Sequence, residues 1–206
     1  MPDHRYLQDE RLIMRILAIA GGTLVLLAVF SAIFLKTYRT DVIPPEEVWA
    51  FVADQAPKSG LSPEFVYAIA WAESSLDARA RSSVARGIMQ ITKVAWEEVS
   101  DRPYREAWDW QTNIVVAMDY LSFCRDYLLQ NNAFSYPMLA ACYRFGPYRV
   151  QKSGFRLAKL PKPKNAIYKK IFNGVARPVS PPVAIDRLRT PNWEYLGLRD
   201  RSGRMC

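Results

Sequence analysis

The sequence predicts a mainly α-helical protein, a helical domain behind an N-terminal transmembrane helix. Three observations carry this expectation. Residues 16–35, ILAIAGGTLVLLAVFSAIFL, form a run of 20 without a charge, bounded by Arg15 and Lys36. Beyond that run, helix-start signals recur ahead of apolar residues spaced at i, i+3 and i+4. No stretch alternates apolar and polar residues between hairpin turns, so strand signals are scarce. With 206 residues, 50% of them apolar and 23% charged, the chain holds one ordinary domain plus an extension, and its apolar fraction excludes a wholly disordered chain.

As a helix, the uncharged run reaches about 30 Å, the thickness of a bilayer's hydrocarbon core. A cleaved signal peptide has a shorter apolar core and a small-x-small cleavage site. Here the run closes on Ala28-Val29-Phe30-Ser31-Ala32, with bulky residues where small ones are needed. The lack of a polar face over five turns argues against a core helix. The expectation is therefore an uncleaved anchor. Arg5, Arg11 and Arg15 precede it and Lys36 and Arg39 follow, a three-to-two bias that puts the N-terminus in the cytoplasm.

The chain then divides into a cytoplasmic segment (1–15), the anchor (16–35), a linker (36–45), a helical domain (46–173) and a Pro-rich basic tail (174–206). Pro44-Pro45-Glu46-Glu47 opens the domain's first helix, because Pro suits the first turn and acidic side chains suit the positive dipole end. Val48, Phe51 and Val52 supply its stripe, and Lys58-Ser59-Gly60 ends it. Ser62-Pro63-Glu64 starts the second with an N-cap. Further helices are expected from near Thr92, over Thr112 to Gln130, over Ser135 to Phe145, and over about Lys164 to Phe172. From Val175 onward, Pro178, Pro181, Pro182 and Pro191 break any helix; a flexible tail is the default reading, and docking through Trp193 and Tyr195 the other.

Within the second helix, Val66, Ile69 and Ala70 share one stripe, and Glu73 continues it rather than facing water. Glu73 also lies in the last turn, where the helix dipole disfavours a carboxylate. Burial and dipole both raise its pKa, which suits a carboxyl that donates a proton to a leaving oxygen. Periodicity alone fits a solvated Glu at a frayed helix end equally well.

The run from Glu73-Ser74-Ser75 to Ser82-Ser83-Val84-Ala85-Arg86-Gly87-Ile88-Met89-Gln90-Ile91 resembles the catalytic domain of soluble lytic transglycosylases, goose-type-lysozyme-like enzymes that cut peptidoglycan. In that family an ES dipeptide ends the helix of the catalytic acid, and a G-L-M-Q-I segment lines the sugar cleft. Asn113-Ile114 with Tyr120-Leu121 resembles the family's N-I…Y-L helix. Leu139–Val150 resembles L-A-A-Y-N-A-G-P-G-R-V around the active-site tyrosine, and Leu160-Pro161 with Tyr168 is similar to the closing I-P-x-x-E-T-x-x-Y. The resemblance covers roughly residues 46–172, in the family's order. There are departures. The loop between Ser83 and Gly87 is one residue short of S-P-x-G-A-x-G and lacks its first glycine; Arg144 and Phe145 replace Asn and Ala; Lys164-Asn165 replaces Glu-Thr.

The resemblance implies a lysozyme-like helical fold and non-hydrolytic cleavage of the β-1,4 bond between N-acetylmuramic acid and N-acetylglucosamine, with Glu73 as the single acid/base and a 1,6-anhydro sugar as product. Most glycosidases need two opposed carboxylates. The candidates Asp77, Asp109 and Asp119 lie in no family motif and read as surface or capping residues. By the same resemblance Gln90 and Ser82 contact N-acetyl groups, with Met89 packing beside them. Tyr143 hydrogen-bonds Glu73 or the developing sugar, and Tyr168 closes the cleft. Ser74 supports the acid or is a local backbone partner. Arg144 grips a peptide-stem carboxylate or, the preferred reading, forms a surface ion pair.

Cys124 and Cys142 each lie nine residues from Ala133, near the turn between two antiparallel helices. A disulfide and a pair of buried thiols both fit this placement. A single histidine, His4, argues against a zinc site or a catalytic triad, so neither metal nor cofactor is expected. The net charge of +8 points to an anionic partner. Peptidoglycan strands and the membrane are the expected partners, at the periplasmic side of a bacterial inner membrane, with or without a secretion, conjugation, flagellar or phage complex. Nucleic acid is not, since no zinc spacing or glycine–aromatic signature is present. The departures motivate one rival: a weak or inactive wall-binding scaffold.

Overall fold

A computed structural model describes residues 4–37 and 41–182, which fall into two compact units divided after Thr40. The first unit is one continuous 34-residue helix, α1 (His4–Thr37), starting well before the uncharged run. Side chains are described there for residues 14, 15 and 17–31, and all are exposed, Leu17, Leu24, Leu26 and Phe30 among them. Among the described residues no helix is long and apolar enough to cross a membrane. Side chains of the run are described only for residues 17–31, fewer than the roughly 20 a span needs. Expectations for residues 1–3, 38–40 and 183–206, including Trp193 and Tyr195, lie outside the described residues.

The second unit is mainly helical: α2 (Pro45–Gln55), α3 (Pro63–Ser74), α4 (Lys93–Val99), α5 (Trp110–Gln130), α6 (Tyr136–Phe145), α7 (Pro147–Lys152) and α8 (Ala166–Phe172). Side-chain caps set most of their starts. Ser62, Thr92, Asp109, Ser135 and Asn165 each accept hydrogen bonds from backbone N–H groups of the turn they open, worth about 1 kcal/mol apiece. Capped by Asp109, α5 starts at Trp110, two residues before the expected Thr112. The sequence reading did not separate α7: Gly146, at φ 80°, ends α6, and Pro147 opens the next helix at once.

The core gathers the apolar stripes of α2, α3, α5 and α6, with Val52, Ile69, Leu121 and Leu139 fully buried. Each such side chain contributes about 1.5–3 kcal/mol by leaving water. One short antiparallel hairpin interrupts the helices, β1 (Ala85–Arg86) paired with β2 (Ile91–Thr92), Ala85 opposite Thr92 and Arg86 opposite Ile91. Strands of two residues carry no alternation to read.

The residues before α2 are tied to the chain that follows α3. Ile43 N–H donates to Leu76 O at 3.0 Å and Ala78 N–H to Asp41 O at 2.8 Å. Asp77 Oδ1 accepts from the N–H groups of Asp41 and Arg79, both at 2.8 Å. Asp77 is thus a loop-building residue.

Candidate active site

Glu73 occupies the last turn of α3. Val66, Ile69 and Ala70 on its stripe are fully buried, and helical spacing carries the acid inward with them. Its side chain is 15% exposed, at the wall of a cleft of about 710 Å³ that Ser82, Gln90, Glu98, Tyr120 and Tyr143 also line. The helix stops immediately behind it: Ser75 and Leu76 both take left-handed conformations, φ 56° and 67°. Non-glycine residues hold that geometry only where the surroundings enforce it, and here Leu76 is fully buried.

Two side chains reach the acid. The Tyr168 hydroxyl donates to Glu73 Oε1, and Arg144 Nη1 lies 3.8 Å from the same oxygen. The guanidinium also stacks over the Tyr168 ring, 4.7 Å from its centroid. Burial pushes the Glu73 pKa above the ordinary carboxyl value, against the Tyr168 hydrogen bond and the Arg144 charge, which both pull it down. Tyr168 itself is fully buried. Burial first, then the charge of Glu73, pushes its pKa well up, so it remains a hydroxyl donor.

A second group of contacts holds the frame around the acid. Ser74 Oγ donates to Ile88 O at 2.7 Å, tying the end of α3 to the hairpin turn. The Tyr143 hydroxyl donates to Met89 O at 2.8 Å. Asn113, fully buried on α5, accepts from Met89 N–H at 2.9 Å and donates to Arg86 O at 3.1 Å and Ala107 O at 2.9 Å. Gly87 sits against this amide at φ 78°; a Cβ there would lie 2.3 Å from Asn113 Nδ2 and 2.4 Å from Ala107 O. Both the backbone angle and the space demand glycine. Gln90 Nε2 donates to the carbonyls of Ala80 (2.9 Å) and Gly87 (3.0 Å), and Ser82 Oγ accepts from Ala85 N–H at 3.0 Å.

Glu73, Ser82, Gln90 and Tyr143 therefore meet at the cleft. Other expectations need correction. The Met89 side chain is fully buried, and the residue acts at the site through its backbone. Tyr168 does not close the cleft; it lies buried with its hydroxyl on the acid. Of the two readings of Ser74, the backbone partner holds: its Oγ donates to Ile88 O and Ala70 O and does not touch the carboxylate. Arg144 forms no surface pair: it lines the cleft beside the acid. Cys124 and Cys142 are free, buried thiols. The Cys142 contact and burial together push the Cys124 thiol up, leaving it unreactive.

Two functional candidates escaped the sequence reading. Glu98 on α4 lines the cleft; its position four residues after Val94, on the same helical face, was the available signal. Asn165 caps α8 through Ile167 and Tyr168 N–H, and its Nδ2 donates to Ala72 O at 3.1 Å. It thereby fixes Tyr168 against the end of α3; its spacing from Tyr168 in the closing motif was the clue. Asp109 caps α5 and Asp119 is exposed, so neither serves the cleft. Among the described residues no cluster of His, Cys, Asp or Glu could hold a metal ion.

A family model described as the transglycosylase SLT domain matches residues 51–164. The matched span contains Glu73, the hairpin, Asn113 and Arg144, and ends just before Tyr168. No curated protein and no solved structure gives a significant match.

Proposed function

The chain belongs to the transglycosylase SLT domain family, and on that premise we propose that it is a membrane-anchored lytic transglycosylase. It cleaves the β-1,4 bond between N-acetylmuramic acid and N-acetylglucosamine in peptidoglycan and leaves a 1,6-anhydro end. The carrying observation is Glu73: a carboxyl buried at the cleft wall, with a hydroxyl donor and a cation on one oxygen.

Burial favours the protonated form of Glu73, the form the reaction starts from. Glu73 gives that proton to the glycosidic oxygen as its bond to C1 breaks, the bonding electrons leaving with the oxygen. The C6 hydroxyl of the same muramyl sugar attacks C1 and loses its proton to the Glu73 carboxylate. No water is consumed and the enzyme returns to its starting state. Tyr168 and Arg144 serve the second half, because both favour the carboxylate form. Tyr143, anchored on Met89 O, supports the wall beside the acid. Gln90 and Ser82 line the site where N-acetyl groups are recognised.

The uncharged run 16–35 within the continuous helix α1 supports an anchor, and the apolar side chains exposed along it suit lipid better than water. The domain then faces the periplasm. Tethering favours wall cleavage near the membrane, in service of an envelope-spanning complex or of general remodelling.

Glu98 favours one alternative: a muramidase using a second carboxylate. Mass spectrometry of soluble products from purified peptidoglycan separates the readings. Muropeptides one water lighter than hydrolysis products, absent with Glu73→Gln, support the lyase. Reducing-end products support the muramidase, and wall binding without release supports the inactive scaffold.

A further inference from the structure

Beyond the hairpin lies a second groove, of about 1060 Å³, which shares Ser82, Val84 and Ala85 with the catalytic cleft. Its character differs from the cleft's. Arg81 and Arg86 both line it, and they stand opposite each other as an antiparallel backbone pair. Residues paired in this way send their side chains to one face, where like charges destabilise each other. No ion pair offsets that cost: among the described residues neither arginine has a carboxylate within ion-pair distance. Lys93 adds a third cation, although it pairs with Glu97 at 3.5 Å.

Arg86 is also held in place. Its guanidinium lies over the ring of Tyr104, 4.7 Å from the centroid, and 5.5 Å from that of Trp108. Stacking on a ring face leaves the in-plane N–H edge of a guanidinium free, the edge that takes a carboxylate with two parallel hydrogen bonds. A half-buried, oriented arginine beside an exposed one is suited to a carboxylate. We infer that this groove binds the carboxylates carried by the muramyl residues of a peptidoglycan strand lying in the adjoining cleft. The chemistry has two sources, the stem peptide and, where the stem has been removed, the lactyl group. The inference rests on the proposed peptidoglycan activity and specifies the substrate that the site prefers.

The test uses the full chain in detergent, carrying Glu73→Gln so that bound strands persist. Three walls are compared by sedimentation: intact, stripped of stems by an amidase, and stripped with the exposed lactyl carboxyls then amidated. The expected result is affinity for intact wall on the order of tenfold above the carboxylate-free wall, lost in R81Q/R86Q and reduced but not abolished in R81K/R86K, which retains the charges without the guanidinium edge. The stripped wall assigns the source: binding at the intact level means lactyl carboxylates suffice, and binding at the carboxylate-free level means the stem is read. Equal binding of all three walls, or discrimination undiminished in R81Q/R86Q, overturns the inference. Product analysis with the unsubstituted chain keeps the two readings apart. Discrimination among walls without anhydro products sinks the lyase and leaves the groove, whereas anhydro products with no discrimination sink the groove alone.

Discussion

Glu73 is held from two sides by different means. On the α6–α8 side, side chains touch the carboxyl itself: the Tyr168 hydroxyl and the Arg144 guanidinium meet one oxygen. On the hairpin side the bonds run between uncharged side chains and backbone, Ser74 to Ile88, Tyr143 to Met89 and Asn113 to Met89. The first side sets the energy of a proton; the second sets the position of a wall. A substitution on the first side should change rate and pH dependence with the fold intact. One on the second should change stability, with rate following.

The largest expected effect belongs to neither side. Glu73→Gln should lower the rate of strand cleavage by about a thousandfold or more, since it removes the only group proposed to carry the proton. Next is the hairpin side: Asn113→Ala strands Met89 N–H and two carbonyls in the core, and denaturant melts should show a loss of about 3 kcal/mol. On the charge side, Tyr168→Phe should cost about tenfold in rate at nearly unchanged stability, because it removes one hydrogen bond to the carboxylate that forms only during the reaction. Similar losses of stability from Asn113→Ala and Tyr168→Phe would erase the contrast between the two sides.

Arg144→Gln should cost less, about twofold to fivefold in rate, as the pair is partly solvent-screened. Its signature is the pH profile. Glu73 must start protonated, so activity falls as pH rises through its pKa. Removing the cation raises that pKa, and the alkaline limb should move to higher pH, while Arg144→Lys leaves it near its original place. The smallest effect is thermodynamic. A carboxyl whose folded pKa is raised binds more protons folded than unfolded, so its ionisation costs stability once pH exceeds the unfolded value. Thermal melts should therefore show Glu73→Gln more stable than the parent at neutral pH. The gain should shrink as pH falls through the ordinary glutamate range, about 4.3.

Much of this arrangement is legible in the sequence, and the rest fails for identifiable reasons. Helix starts at Ser62, Thr92 and Ser135 follow from short-range capping chemistry. The inward placement of Glu73 is one of two readings that the spacing of Val66, Ile69 and Ala70 allows, and the motif around it is what singles out the acid. The Tyr168 contact spans 95 positions, beyond any local periodicity, so only a motif resemblance drew attention to that tyrosine and it misassigned the role. Met89 stands out as a letter, but the functional groups are its N–H and carbonyl, which every residue possesses. Arg144 reads as a surface charge because its neighbours in sequence are not its neighbours in space. The uncharged run 16–35 is legible as composition.

The central claim is that one carboxyl and an internal hydroxyl complete the reaction without water. The most direct measurement is cleavage of peptidoglycan by the full chain in water enriched in oxygen-18, with the new chain ends read by mass spectrometry. The expected result is anhydro-muramyl ends carrying no label, formed at a rate that collapses with Glu73→Gln. Labelled reducing ends would contradict the claim, and would direct attention to Glu98 across the same cleft lining.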